Sequence, residues 1–358
     1  MARVAFYAPM KSPHSPTPSG DREMARNLIT AIAAEGDHVD LVSELRIYDK
    51  HGDSVKQHAL RAAAEAETQR LIAELPQDTS IWVTYHNYYK APDLIGPQVC
   101  AARQIPYVQM ESTRASSRLK GPWAGFAQSA HKASDAANVI FYHTANDLIT
   151  LERDRFGTQA LVELPPFLPI RDLPPQAATE GPMLAVGMMR YGDKLASYQL
   201  LAAALTLLTG DWRLQIAGDG PARGEVEALM APFGEKVTLL GQLDQESLGQ
   251  LYQSSGFLVW PGVNEAYGMI YLEAQAAGLP VVAQDRPGVR DVLSPSDYPS
   301  VEQAARGLAQ RMRTLLQMGE ERGRLGSEAR QYVADRHLMP GATRRFWQTI
   351  RPLLEDSA

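Results

Sequence analysis

The sequence of 358 residues has one cysteine, Cys100. One thiol allows no disulfide within the chain and no cysteine-based metal cluster. A reducing, cytoplasmic setting fits that count. Acidic residues outnumber basic ones, 41 to 35, for a formal net charge of −6. A chain of that sign is poorly matched to a phosphate backbone, so no nucleic-acid partner is expected. No apolar run approaches the roughly 20 residues of a membrane-spanning helix. The first such run, Val4-Ala5-Phe6-Tyr7-Ala8, stops at Pro9. It is too short for a signal peptide and reads as a buried strand. Membrane contact is therefore expected to be peripheral at most. H-E-x-x-H and paired cysteines are missing, so these common metal motifs are excluded. No G-x-G-x-x-G opens the chain, which speaks against a dinucleotide oxidoreductase.

What is present is alternation. Strand candidates lie at 3–9, 38–44, 80–86, 107–111 and 138–144, with helical runs such as 22–35, 54–73 and 145–155 between them. Six prolines then fall within 165–182, a density that reads as a stiff linker. The alternation restarts with strands at 183–187, 212–218, 237–241, 256–261 and 279–284. Repeated βα units predict parallel sheets covered by helices on both faces. The expected organisation is an N-terminal domain over 1–166, a linker over 167–182, a C-terminal domain over 183–340 and a last helix over 341–358. Ligands of open α/β sheets bind beyond the C-terminal strand ends, so functional residues are sought there.

The densest group follows strand 256–261. It reads Pro261-Gly262-Val263-Asn264-Glu265-Ala266-Tyr267-Gly268-Met269-Ile270-Tyr271-Leu272-Glu273. Glu265 falls at the strand-to-helix turn and Glu273 about two turns later, near the same face. A carboxylate can accept from two adjacent hydroxyls, so the pair suits a ribose at one end and a sugar at the other. Free amides at the helix start suit a diphosphate. Spacing alone also fits an ordinary solvated face. The other strand ends supply context: Gly187, Arg190 and Lys194 after 183–187, Gly218-Asp219-Gly220-Pro221 after 212–218, and Gly288 with Asp291 after 279–284.

With these motifs, the second half resembles retaining glycosyltransferases of family 4. The resemblance is strongest from about 183 to 293 and is weaker in the N-terminal half. It implies the GT-B architecture: two Rossmann-like domains facing a central cleft. It also implies a nucleotide-sugar co-substrate, a UDP-sugar being favoured, and no other cofactor. By resemblance, Arg190 and Lys194 bind the donor diphosphate and Glu273 holds the ribose. Glu265 holds the transferred sugar, and amides around Tyr267, Gly268 and Met269 touch sugar or phosphate. Gly218 leaves room for the nucleotide, the base lies near Gly241 and Leu243, and Gly20 in Pro18-Ser19-Gly20-Asp21 lets a turn approach the diphosphate. That turn also reads as a plain βα connection with an N-cap. No D-x-D occurs, the motif that supports a metal in the other common glycosyltransferase architecture, so a metal-independent reaction is expected.

The acceptor side is less defined. His86, in Tyr85-His86-Asn87-Tyr88-Tyr89, has an acceptor or a structural role. Relatives often carry a histidine after the next strand, where this chain has Glu111. Glu111 is either an acceptor base or an ion-pair partner, and His143 is a further candidate. Segment 114–132 holds Arg114, Arg118, Lys120 and Lys132 with Trp123 and Phe126. At helical spacing Trp123, Phe126, Ala127 and Ala130 share one face. That face either packs on the sheet or meets a membrane surface. The N-terminal pattern and Pro165-Pro166-Phe167-Leu168 resemble bacterial relatives that glycosylate diacylglycerol. The expected partner is therefore a lipid acceptor at the inner face of the membrane, with a glycan or small molecule as the alternative. Two other readings are weighed: an epimerase or phosphorylase of the same architecture, which the two spaced glutamates disfavour, and a non-catalytic nucleotide-sugar-binding protein. Phe346 and Trp347 are expected to anchor the last helix on the first domain.

Overall fold

The computed structural model describes residues 1–17 and 19–355. Pro18, the first residue of the Pro-Ser-Gly-Asp turn, lies outside them. The chain divides into two compact units, Met1–Pro165 with Met339–Ala358, and Pro166–Leu338.

In the first unit six strands form one parallel sheet in the order β2-β1-β3-β4-β5-β6. They are β1 (Arg3–Tyr7), β2 (His38–Ser43), β3 (Thr79–Asn87), β4 (Tyr107–Ser112), β5 (Val139–Tyr142) and β6 (Ala160–Glu163). Helices α1 (Gly20–Ala33), α2 (Ser54–Glu74), α3 (Gly96–Arg103), α4 (Ala124–Ala136) and α5 (Ala145–Arg153) connect them. The central strand β3 shows why the run reads as continuous rather than alternating: Ile81, Trp82, Val83 and Tyr85 are all buried, as they must be when helices cover both faces. Strand β6 was not among the strand candidates. It is a four-residue edge strand, Ala-Leu-Val-Glu, and none of its residues is fully buried.

The second unit is a five-stranded parallel sheet in the order β11-β10-β7-β8-β9. Its strands are β7 (Met183–Val186), β8 (Leu214–Ala217), β9 (Val237–Gly241), β10 (Phe257–Val259) and β11 (Val281–Val282). Its helices are α6 (Asp193–Leu205), α7 (Arg223–Met230), α8 (Gln245–Ser254), α9 (Met269–Ala276), α10 (Ala304–Gln317) and α11 (Gly319–Arg336). In each sheet the winding direction reverses once, between β1 and β3 in the first unit and between β7 and β10 in the second. Such a reversal opens a crevice at the strand ends.

Two boundaries differ from the sequence expectation. Residues 167–182 do not form a free linker but pack on the second unit. The amide of Leu168 donates to His337 O at 2.8 Å and that of Ala177 to Ala277 O at 2.7 Å. Proline keeps the segment extended, and buried Leu168 and Ala177 fasten it. The last helix, α12 (Met339–Glu355), groups with the first unit and starts two residues before 341. Thr343 Oγ1 donates to Ala31 O at 2.8 Å and the Trp347 indole to Ile32 O at 3.0 Å. Phe346 stacks at 5.6 Å on Phe141. Among the described residues no helix is long and apolar enough to cross a membrane.

His337, fully buried, donates from Nδ1 to Pro166 O at 2.6 Å. Burial pushes its pKa down to about 4, against about 6.5 for a free imidazole. Between those values the unfolded chain binds more protons. Stability is therefore complete above about pH 6.5 and falls, by roughly 3 kcal/mol in all, as pH drops to about 4. His337→Gln should flatten denaturant-derived stability across that window. A variant curve parallel to wild type would rule this histidine out as the source.

Candidate active site

The second unit builds its site at the β7/β10 reversal. The turns after β7 and β8 are joined backbone to backbone: Gly187 N donates to Ala217 O at 3.0 Å, Met189 N to Asp219 O at 2.9 Å and Ala222 N to Met189 O at 2.9 Å. Contact this close leaves no space for side chains. A Cβ on Gly218 would stand 1.9 Å from Gly187 O, and φ there is +149°. The glycine to which the family resemblance gives nucleotide room is therefore required first by its neighbouring turn. Gly187 in turn lies under Trp260, where a Cβ would meet the indole at 2.7 Å.

This zipper presents Arg190 and Lys194. Arg190 is exposed, and among the described residues it forms no ion pair. Lys194, in the first turn of α6, forms an ion pair with Glu265. The Trp260 indole donates to the same Glu265 oxygen at 3.0 Å, and the ammonium of Lys194 lies 5.6 Å from the centre of that ring. The loop holding Glu265 is pinned twice more on α6. Val263 N donates to Ser197 Oγ at 3.0 Å, and Asn264, at φ +50°, donates from Nδ2 to Asp193 Oδ1 at 2.9 Å. From behind, Gly288 brings its turn against Ala266, with 1.9 Å between an added Cβ and Ala266 O. That turn runs on through Val289–Asp291.

Glu273 lies on α9, half-buried, and accepts from the Tyr252 hydroxyl at 2.8 Å. Burial pushes its carboxyl above the usual range, and the Tyr252 hydrogen bond draws it partly back. Gly268, at φ +83°, precedes α9, and no side chain caps that helix start. The amides near Met269 and the half-buried Tyr267 therefore border a helix N-terminus suited to an anion. Gly241 ends β9 and Leu243 follows it, and the Gly241 carbonyl accepts from Gly218 N at 2.8 Å. Sequence reasoning passed over Trp260 and Tyr252, although a buried indole or phenol signals a need for a polar partner.

The first unit gathers polar groups at its own reversal. Gly20 begins α1 behind the Ser19 cap, and a Cβ there would meet nothing within 4 Å. His86 at φ +71° and Glu111 at φ +54° are both strained, at the ends of adjacent strands. His86 Nδ1 lies 3.8 Å from Asp21 Oδ1 and 3.9 Å from Glu111 Oε1. His143 Nε2 lies 3.8 Å from Glu111 Oε2. His86 Nδ1 and Glu111 Oε2 are buried without a hydrogen-bond partner. Asp147, in the first turn of α5, has its carboxyl pushed up by burial, a shift that the Thr144 hydrogen bond opposes.

Of the two readings of segment 114–132, the apolar stripe takes the packing one. Phe126, Ala127 and Ala130 are buried, so α4 spends its apolar stripe on the sheet. Arg114 is buried too, in an ion pair with Asp135 at 2.5 Å. Arg118 and Lys120 are exposed, and Trp123 is half-buried with its indole donating to Asp49 O at 3.2 Å.

Residues 182–318 match the model of the family described as glycosyl transferases group 1. An uncharacterized glycosyltransferase of Methanocaldococcus jannaschii is 35% identical over 113 residues, 31% of this chain and 29% of that protein. The sulfoquinovosyl transferase SQD2 of Arabidopsis thaliana is 30% identical over 145 residues, 38% and 27% of the two chains. The alpha-monoglucosyldiacylglycerol synthase of Streptococcus pneumoniae is 24% identical over 153 residues, 42% and 33%. The aligned parts thus span about a third or less of these relatives. Among solved structures, sucrose-phosphate synthase from Thermosynechococcus elongatus superposes with a TM-score of 0.71 at 18% identity, over 99% of this chain and all of the other. HepE from Anabaena, in complex with UDP, gives 0.72 at 13%, over 98% and 100%. Residues 182–318 of the second unit thus resemble a group 1 glycosyl transferase domain, and the two parallel-sheet α/β units share the fold of these solved structures.

Proposed function

We propose that this chain is a retaining hexosyltransferase that moves a sugar from a nucleotide-sugar to a hydroxyl acceptor without a metal ion or further cofactor. The observation that carries the reading is the fixed Lys194–Glu265 pair beside Arg190 at the β7/β10 crevice. A departing nucleoside diphosphate gathers negative charge, which Arg190, Lys194 and the α9 amides stabilise in the transition state. Glu265 accepts from hydroxyls of the sugar as it becomes oxocarbenium-like, and Glu273 accepts from the ribose. The acceptor approaches on the leaving-group side, and a diphosphate oxygen takes its proton, so retention follows. UDP is the favoured nucleotide, since HepE was solved with it.

Two acceptor readings remain distinct. Similarity to a diacylglycerol glucosyltransferase supports a lipid of that type at the inner membrane face. The burial of Phe126 favours the other, a glycan or small molecule held near His86 and Glu111.

The test is thermal stabilisation by UDP, GDP, ADP and NAD, with and without a chelator. A ligand at a hundred times its Kd adds about 2.7 kcal/mol, which is readily detected. One nucleoside diphosphate should stabilise the protein regardless of chelator, and Glu273→Ala should weaken it about ten- to a hundredfold by removing a charged acceptor. Because the Glu273 carboxyl is pushed up, nucleotide affinity should fall on acidification before an ordinary glutamate would titrate. Unchanged affinity in Glu273→Ala defeats the ribose assignment, and absence of glycosylated product despite binding supports a non-catalytic protein.

A further inference from the structure

Directly after β3 the chain places Tyr88, Tyr89 and Lys90, and the turn before α4 brings Arg118 and Trp123 to them. Rings step outward from the polar crevice: His86 to Tyr88 at 4.9 Å, Tyr88 to Tyr89 at 5.5 Å, Tyr89 to Trp123 at 5.7 Å. Two cations converge on the last pair. The Lys90 ammonium lies 5.5 Å from the Tyr89 ring and 5.8 Å from that of Trp123. The Arg118 guanidinium lies 5.2 Å and 5.5 Å from the same two. Among the described residues neither cation has a carboxylate partner. Nearby Asp49 is buried and committed elsewhere, accepting from Gln57 Nε2 at 2.8 Å and from the His51 amide at 3.0 Å. Two like charges gathered on one aromatic pair, without a counter-charge, are short of an anion.

We propose that Lys90, Arg118, Tyr89 and Trp123 recognise an acceptor bearing a phosphate beside its hydroxyls, a phosphorylated sugar or polyol. The proposal rests on the glycosyltransfer reading for calling this ligand the acceptor. A phosphate ester carries a charge near −2 and three acceptor oxygens, which match two cations better than one carboxylate does. The guanidinium can engage it through two parallel donors. The ring pair offers an apolar wall for the ligand's carbon face. At the other end of the ring series, His86 Nδ1 and Glu111 Oε2 are buried and lack hydrogen-bond partners. A ligand hydroxyl can donate to the Glu111 carboxylate there and exchange a hydrogen bond with the imidazole. The recognition elements are thus a phosphate site, an aromatic wall and a hydroxyl site, all within the first unit.

The experiment is calorimetric titration of the full chain, saturated with UDP to occupy donor phosphate sites, by glucose 6-phosphate, glucose and inorganic phosphate. Wild type should bind glucose 6-phosphate at least tenfold more tightly than glucose. Lys90→Gln with Arg118→Gln should erase that difference and leave UDP affinity unchanged. Arg118 is exposed and Lys90 half-buried, and glutamine keeps most of each side chain's length, so folding should survive. Equal affinity for the two sugars, or a preference that persists in the variant, overturns the proposal. A parallel flotation uses phosphatidylcholine vesicles with and without phosphatidylglycerol. Charge-dependent capture lost in the variant, with no soluble phosphate bound, keeps the phosphate chemistry and assigns its source to a lipid headgroup. Phosphate preference without any UDP binding would sink the transfer reading while sparing the site.

Discussion

Glu265→Gln should lower turnover by about 10²- to 10³-fold, the scale set by removing one preorganised electrostatic contact from a transition state. The substitution keeps shape and removes charge. In the protein Glu265 accepts from the Trp260 indole at 3.0 Å and balances Lys194. A glutamine can still accept the indole proton, so the loop should stay in place. It can no longer offset the positive charge that builds on a sugar losing its diphosphate. Nucleoside diphosphate affinity should stay within a few-fold of wild type, because the ribose contact is assigned to Glu273. The measurement is steady-state turnover paired with UDP titration. Turnover within tenfold of wild type would remove Glu265 from the sugar site. Lost turnover together with lost UDP binding would instead mark it as a structural brace.

The pairing of Glu265 with Trp260 shows where sequence reading stops. Alternating βα units were legible because buried parallel strands are apolar on both faces, and most ended within two or three residues of the expected positions. Strand β6 was missed because a short, half-buried edge strand carries no such signal. The glutamate spacing and the cations at strand ends were legible as a set. Their partners were not, since Asn264 at φ +50° turns the loop so that Glu265 meets Trp260. Periodicity gave the apolar face of α4 correctly but not what covers it, so a sheet-packing stripe also read as a membrane face. The proline-rich stretch was legible as extended, while its attachment to the second unit depends on Leu168, Ala177 and the distant His337.

Glycines divide the same way, and two substitutions separate the cases. Gly218→Ala should cost about 3–5 kcal/mol, from a strained backbone together with an overpacked contact. Its φ of +149° disfavours any side chain, and the obstacle 1.9 Å away is the Gly187 carbonyl, a backbone atom that cannot rotate aside. Relief requires parting the turns after β7 and β8, which are held by the Gly187–Ala217, Met189–Asp219 and Ala222–Met189 hydrogen bonds. Those turns present Arg190 and Lys194, so nucleotide affinity should fall with stability. Gly20→Ala is the counterpart. A Cβ there meets open space in its own unit, and alanine in the first turn of α1 should stabilise by about 0.4–1 kcal/mol. If the donor diphosphate approaches this turn, as the family resemblance implies, turnover should nevertheless drop at least tenfold, because an added methyl takes the place of a ligand atom. Denaturant melts and turnover on the two variants give four numbers. Stability lost only in Gly218→Ala, with activity lost in both, fits a structural glycine in one turn and a ligand-facing one in the other. Full activity in Gly20→Ala would reduce the β1–α1 turn to an ordinary capped connection, and a stable Gly218→Ala would mean that the two turns can part without cost.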